Sequence, residues 1–311
     1  MILPSISTMY ILLLLPFVAS SFTIQQSRQH FTFQNSHPKL LTATTTTSLH
    51  AVSNINKDGK CKFGTKEYWD TMYTGNNNDS SSTNDDGLSA DEYSWYCNYR
   101  ELQPFWDMLV GSTTTTTNND NDATITKEQI QVLIAGIGND ITPIQMYDDG
   151  WTNMIAFDYS ESGVFRAREL FGPNRLVQND NVHATNNNNH GTTESANGGG
   201  GARLLLADCR ELPIPTSTID ATLDKGTLDA IYITGKQVFV DSVKELTRVT
   251  AVDGMIVCVS AVIPQEELLD AFQSNEGGGS WETVMDGGLA FADSGEATID
   301  LGANLYAFRR R

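Results

Sequence analysis

Short apolar runs alternating with helical periodicity constrain this chain more than any other feature. Residues 131–135, 154–157, 203–206, 219–223 and 255–259 are rich in Val, Ile and Leu, with apolar side chains in near-continuous order rather than at every second position. Runs of that kind read as strands buried on both faces. Residues 160–171 and 236–250 read as helices between them, the second placing Phe239, Val243, Leu246 and Val249 on one face. Strand and helix in alternation imply a parallel, doubly wound α/β sheet. Two last runs, 281–285 and 304–308, follow a helical stretch at 265–272 and are suited to closing the sheet as a hairpin.

Low-complexity tracts interrupt this pattern near residues 76–86, 113–122 and 179–201. Their Asn, Thr, Asp and Gly cannot bury enough apolar surface to fold, so they read as solvated insertions in one domain spanning 61–311. The glycines at 198–201 are not followed by a Lys-Ser/Thr pair, which makes them linker rather than phosphate loop.

The 311 residues carry a formal charge of −18. That balance disfavours nucleic acid as a partner and suits a cationic one, a basic protein tail or an amine, although it also serves solubility alone. Cys61, Cys97, Cys209 and Cys258 have no paired spacing, so neither zinc nor a disulfide framework is implied. The histidines are His30, His37, His50, His183 and His190, none of them in the strand-and-helix region. A Ser-His-Asp or Cys-His hydrolase is thereby disfavoured, as is a His-ligated metal.

Residues 1–21 read as a signal peptide, with an apolar core from Met9 to Val18 and the small residues Ala19, Ser20 and Ser21 after it; the core is too short for a permanent membrane anchor. No Lys or Arg precedes it. Residues 22–60 hold Arg28, Lys39, Lys57 and Lys60, and Asp58 is their first acid, a transit-peptide composition. The junction Ala19-Ser20-Ser21-Phe22 resembles the bipartite presequence of algae with complex plastids, which implies delivery to the plastid. Secretion is the alternative.

Directly after the first run comes Ala135-Gly136-Ile137-Gly138-Asn139-Asp140. Gly136 and Gly138 permit a tight turn and let backbone N–H groups approach a ligand where the next helix begins. The second run ends in Phe157-Asp158-Tyr159, where a carboxylate can accept both hydroxyls of an adenosine ribose. The third ends in Ala207-Asp208-Cys209, where an Asp can accept an adenine amino group and the next N–H can meet a ring nitrogen. All three points fall at the carboxyl ends of neighbouring strands, the edge where open α/β sheets bind ligands. Singly, the acids could be helix caps and the glycines plain turn residues; order and spacing together favour a nucleoside. A dinucleotide would call for a third glycine two or three residues past Gly138, and the acid in Asn139-Asp140-Ile141 would repel its pyrophosphate. S-adenosylmethionine has an ammonium, a sulfonium and no phosphate, and so tolerates that acid.

These motifs, with Glu67-Tyr68-Trp69-Asp70-Thr71-Met72-Tyr73, Trp95, Asp158-Tyr159-Ser160 and Leu223-Asp224-Lys225-Gly226-Thr227-Leu228-Asp229-Ala230, resemble the methyltransferase-like family that includes the elongation factor 1-alpha lysine methyltransferases. The resemblance runs from about Phe63 to the C-terminus between the insertions, and the Asp-Lys-Gly-Thr-Leu-Asp segment is its most specific part. It implies a Rossmann-like class I methyltransferase fold, a mostly parallel seven-stranded sheet with helices on both faces, and S-adenosylmethionine as cofactor. It further implies that Trp69, Tyr73 and Trp95 form a flap over the cofactor while Gly136, Asp158, Tyr159, Asp208, Cys209 and Lys225 line its pocket. Aromatic faces stabilise a sulfonium by cation–π attraction, although Trp69 and Tyr73 could instead belong to an amphipathic helix packed on the sheet. Ile137 replaces the family's usual small cysteine, the insertion before Arg203 is long, and the part after Val262 matches poorly, which leaves acceptor specificity open.

Methyl transfer from a sulfonium is an in-line displacement, so an enzyme of this kind mostly aligns the acceptor and excludes water. A lysine amine of a protein is the expected acceptor and must lose its proton before or during attack. Asp224 and Asp229 bracket Lys225, placing carboxylates where an amine could enter; they could equally be ion-pair partners of Lys225. Absence of an Asn-Pro-Pro-Tyr motif disfavours amide or nucleobase methylation. A small-molecule methyltransferase, a spermidine-synthase-like aminopropyltransferase and a non-catalytic cofactor-binding assembly factor remain as alternatives.

Overall fold

A strand buried on both faces needs helices above and below it, and the chain supplies both. The structure, a computed structural model, describes residues 61–74, 94–111, 125–177, 201–274, 281–291 and 303–311. All of these fall in the unit Ala43–Arg311. The leader 1–60 and the three insertions, apart from Gly201, lie outside the described residues.

In chain order the elements are α1 (Lys66–Thr74), α2 (Tyr99–Leu109), β1 (Val132–Ala135), α3 (Thr142–Asp148), β2 (Met154–Asp158), α4 (Glu161–Phe171), β3 (Arg203–Leu206), β4 (Ile219–Lys225), α5 (Thr227–Thr234), α6 (Lys236–Val249), β5 (Thr250–Ser260), α7 (Gln265–Gln273), β6 (Trp281–Phe291) and β7 (Ala303–Arg310). Among the described residues the strands form one seven-stranded sheet in the order β3-β2-β1-β4-β5-β7-β6. The pairs from β3 to β5 are parallel, while β7 runs antiparallel between β5 and β6. The order reverses between β1 and β4, where a crevice opens outside the carboxyl ends of the strands. Register places Ala135 beside Phe157 on one side and Asp224 on the other, so the three strand ends finish level.

The two-residue alternation of side chains divides the core into two layers. Val132 and Ile134 join Leu102, Trp106 and Leu109 of α2 on one face. Leu133 and Ala135 join Phe239, Val243 and Leu246 of α6 on the other. Burying each large apolar side chain contributes about 1.5–3 kcal/mol. Trp106 and Trp151, both fully buried and edge to face at 5.7 Å, anchor the first layer; Phe272 stacks on Phe308 at 4.1 Å in the second. α2 opens with a capping box in which Asn98 accepts from Glu101 N and Glu101 accepts from Asn98 N.

The expected seven-stranded, mostly parallel sheet is present, with different boundaries at β6, which runs on to Phe291 where the sequence reading stops at 285, and at the junction of α6 and β5. Periodicity carries the last long helix to 250 and starts the next strand at 255, whereas α6 ends at Val249 and β5 already begins at Thr250. Thr250 pairs with Ile219 and Met255 with Ala221, so the intervening residues bulge, with Asp253 at φ 64°. Ala251, Val252, Asp253 and Gly254 have no alternation to announce a strand; the bulge absorbs them. Among the described residues no helix is long and apolar enough to cross a membrane.

Candidate functional site

The site is built on the carboxyl ends of β1, β2 and β4. The turn after β1 places Gly136 at φ 58° and Gly138 at φ 44°, conformations that β-carbon sterics disfavour. Space forbids a side chain there too. A Cβ on Gly136 would meet Thr227 Oγ1 at 2.1 Å, and one on Gly138 would meet Tyr73 Oη at 2.2 Å. Thr227 Oγ1 donates to Ala135 O at 2.9 Å, which draws the start of α5 against the turn.

Asp158 closes β2 and is buried. Its Oδ2 accepts from Gly138 N at 3.0 Å and its Oδ1 from Ser160 N at 2.8 Å. Burial raises its pKa to about 6, against the lowering effect of those N–H groups. The Tyr159 N–H also acts on this carboxylate, and with about four acceptor positions in all it still has room for a ligand hydroxyl. Ser160 caps α4 by accepting from Gly163 N at 3.0 Å, and its own hydroxyl donates to Asp70 Oδ1 at 2.6 Å, fastening α1 to the loop after β2.

α1 brings an aromatic wall. Trp69 stacks on Tyr73 at 5.8 Å and 24°, and meets Trp95 edge to face at 5.8 Å; Trp69 Nε1 donates to Phe63 O at 2.8 Å. Burial and the neighbouring Asp158 push the Tyr73 phenol well above its ordinary range, keeping it neutral. A mostly apolar cavity of about 360 Å³ lies inside these walls, within the usual span for a small-molecule site. It brings together Trp69, Tyr73, Trp95, Gly136, Asp158, Tyr159, Asp208, Cys209, Lys225 and Asp229, residues selected from sequence. Gly138 and Asp224 are not among its walls. Gly138 acts one step back, through its N–H on Asp158.

At the β3 end, Asp208 reaches the cavity rim with Arg210 bound to both its oxygens, at 2.9 and 2.6 Å, and the guanidinium lowers the pKa of the carboxyl. Burial raises the Cys209 thiol, which keeps it protonated and apolar in the wall.

Neither of the acids flanking Lys225 pairs with it, contrary to one reading of the sequence. Lys225 Nζ instead pairs with Asp140 at 3.0 Å and donates to Thr142 Oγ1 and Cys97 O, both at 2.8 Å. Asp224 is fully buried, accepting from Leu228 N at 3.0 Å and from Cys258 Sγ at 2.9 Å, with burial raising its pKa to about 7. In a strand successive side chains point to opposite faces, so Lys225 and its neighbour Asp224 cannot share a side. Asp229 receives Tyr96 Oη at 2.7 Å and the backbone of the turn after β5. Tyr96, Asp140, Ser160 and Asp70 carry site geometry without having been singled out from sequence. Asp140 carried a signal as the acid after the glycine turn, and Asp70 and Ser160 stood in the motif segments without a role of their own.

No family model matches the chain. Over 211 residues it is 24% identical to the mouse (Mus musculus) eEF1A lysine and N-terminal methyltransferase and 22% identical to the human (Homo sapiens) one, covering 67% of this chain. The matched part is 23% of each of those proteins, so the chain spans under a quarter of their length. Among solved structures, it is similar to the N-methyltransferase NodS from Bradyrhizobium japonicum in complex with S-adenosyl-l-homocysteine, at 10% identity and TM-score 0.46, over 79% of this chain and 98% of that one. Strand order, the antiparallel β7 and the glycine turn at the switch point agree on one architecture. The chain has the class I methyltransferase fold. Within that fold the cavity occupies the carboxyl edge of β1, β2 and β4, beside the reversal of strand order.

Proposed function

We propose that this chain transfers the methyl group of S-adenosylmethionine to an amine nitrogen, that of a lysine side chain in a protein. The observation that carries the reading is Asp158, a cavity-lining carboxylate with acceptor capacity left for a ligand, beside a glycine turn and a wall of aromatic faces.

The residues present fit the cofactor. Asp158 would take the ribose hydroxyls, the apolar walls the adenine, and the faces of Trp69, Tyr73 and Trp95 the positive sulfur. When bound, S-adenosylmethionine supplies a methyl carbon already activated for displacement. The chain's own task is then to hold the acceptor in line and keep water out. Asp158, Asp70, Glu67 and Asp208 all bear electrostatically on Tyr159, and with Lys66 paired to Asp70 and Arg210 to Asp208 the carboxylates there still outnumber the cations. Together with the net charge of −18, this favours an acceptor that arrives as a cation. The named activity of the curated relatives supports lysine as that cation.

Incubating the purified chain with methyl-labelled S-adenosylmethionine and a protein lysate tests this directly. Label should enter protein as methyl-lysine, and Asp158→Ala should abolish the transfer. Label confined to small molecules would overturn the acceptor class. A chain that binds neither S-adenosylmethionine nor S-adenosylhomocysteine would overturn the cofactor.

A further inference from the structure

Ser94, Trp95, Tyr96 and Cys97 make a tight turn of unusual conformation, with Tyr96 at φ 62° and Cys97 N donating to Trp95 O at 2.7 Å. A bulky side chain in the left-handed region persists only where its surroundings over-determine it. Here the surroundings come from one short stretch, Lys225 to Asp229. Lys225 Nζ donates to Ser94 Oγ at 3.0 Å and to Cys97 O at 2.8 Å, gripping both ends of the turn. Its pairing with Asp140 and Thr142 ties the same ammonium to the residues after the glycine turn. The middle of the turn is held from the other side, where Tyr96 Oη donates to Asp229 Oδ2 at 2.7 Å. Between the two grips the Tyr96 ring lies so close over Gly226 that a Cβ there would stand 2.9 Å from Cε2.

Asp229 has a second client. Its carboxylate also accepts from Ser260 Oγ and from the backbone N–H groups of Ala261 at 2.9 Å and of Val262 and Ile263 at 3.3 Å, the turn that leaves β5. A carboxylate offers about four acceptor positions, and Asp229 already receives five donors. Lys225 likewise has three N–H groups among acceptors on four residues, Ser94, Cys97, Asp140 and Thr142. Neither group retains a position with which to bind or deprotonate a substrate. Trp95, Tyr96 and Val262 all line the cavity.

We infer that Lys225 and Asp229 are positioning residues, the two arms of a staple that sets the Ser94–Cys97 turn, and with it Trp95 and Tyr96, as one wall of the cavity and locks it to the turn after β5. The inference rests on the reading of this cavity as the cofactor and acceptor site. It assigns to the Asp-Lys-Gly-Thr-Leu-Asp segment the assembly of that wall and takes proton transfer away from Asp229.

Tyr96→Phe removes one hydroxyl and leaves the ring, so it releases one arm without opening the core. In the full chain without ligand, hydrogen exchange at the amides of Tyr96 and Cys97 should accelerate at least tenfold while exchange in β1 and β5 stays unchanged. S-adenosylhomocysteine affinity, read by calorimetry, should fall severalfold, and KM for the acceptor should rise more than kcat falls. Asp229→Asn should accelerate exchange at 261–263 as well and leave the pH profile of turnover in place. Unchanged exchange in Tyr96→Phe would overturn the staple. So would an Asp229→Asn variant that keeps parental exchange and affinity but shows an altered pH profile, the signature of a proton carrier. Should Asp229→Asn fail to fold, Tyr96→Phe decides alone. A parent chain that binds no S-adenosylhomocysteine would strike the functional reading, whereas the ligand-free exchange measurement would still test the staple.

Discussion

Asp158 and Asp224 hold equivalent places in the sequence, each an acid at the carboxyl end of a buried strand, and the fold uses them in opposite ways. Asp158 lines the cavity, and the N–H groups of Gly138 and Ser160 hold it with acceptor capacity to spare. Asp224, beside β1 in the sheet, points into the layer of α5 and α6, where it accepts from Leu228 N and the Cys258 thiol away from the cavity walls. Burial raises both pKa values, to about 6 and about 7. A raised carboxyl pKa at a strand end therefore does not by itself mark a ligand-binding group. What separates the two is access, since Asp158 lines the cavity and Asp224 does not.

The largest effect should come where the two regions meet. Gly136→Ala puts a Cβ 2.1 Å from Thr227 Oγ1 at a φ of 58°, so Thr227 must give up Ala135 O and the start of α5 must move. Backbone strain and a lost hydrogen bond together cost roughly 2–4 kcal/mol. A clear drop in melting temperature with loss of S-adenosylhomocysteine binding is expected; a variant with parental stability would show that the turn is looser than described.

The contrast itself is tested by Asp158→Ala beside Asp224→Asn. Hydrogen bonds to a charged acceptor are worth roughly 1.5–3 kcal/mol each, and about 1.4 kcal/mol is a factor of ten. Asp158→Ala should weaken S-adenosylhomocysteine binding at least tenfold in calorimetry, while Asp224→Asn should leave it within about twofold. Equal losses in the two variants would break the comparison.

The smallest effects lie in pH dependence. Ligand hydroxyls donate to the ionised form of Asp158, so affinity should decline as pH falls through about 6 and level off above it. Asp224 contributes in the other direction. Its folded pKa is raised, so its stabilising contribution is complete below the ordinary carboxylate range and is lost as pH rises through about 7. Melting temperatures from pH 5 to pH 8 should show that slope in the parent and a flatter profile in Asp224→Asn. Identical profiles would mean that the Asp224 carboxyl is not held as described.

Much of this was legible in sequence. The near-continuous apolar runs announced buried strands, except at 203–206, where β3 forms the sheet edge and leaves Arg203 and Leu206 exposed; Gly136 and Asp158 announced a ligand edge, because each signal is local and depends on a few adjacent residues. The capping box of Asn98 and Glu101, which marks the start of α2, was not among the signals read from sequence. The bulge at the start of β5 was not legible, since nothing in Ala251, Val252, Asp253 and Gly254 alternates. Nor was the partner of Lys225. Adjacent acids looked like its natural counterions, but alternation along β4 turns Asp224 to the opposite face, and the ion pair closes with Asp140, 85 residues away in the chain.

The amino-acid sequence by itself determined the strand-and-helix alternation, the glycine turn at the end of β1 and the acid at the end of β2, because backbone conformation and apolar periodicity are set by near neighbours. Only the tertiary structure decided that Asp158 faces the cavity, that Asp224 does not, and that Tyr96 reaches Asp229 across 133 residues. Those outcomes depend on which surfaces strand order brings together, and on which face of its strand each carboxylate stands.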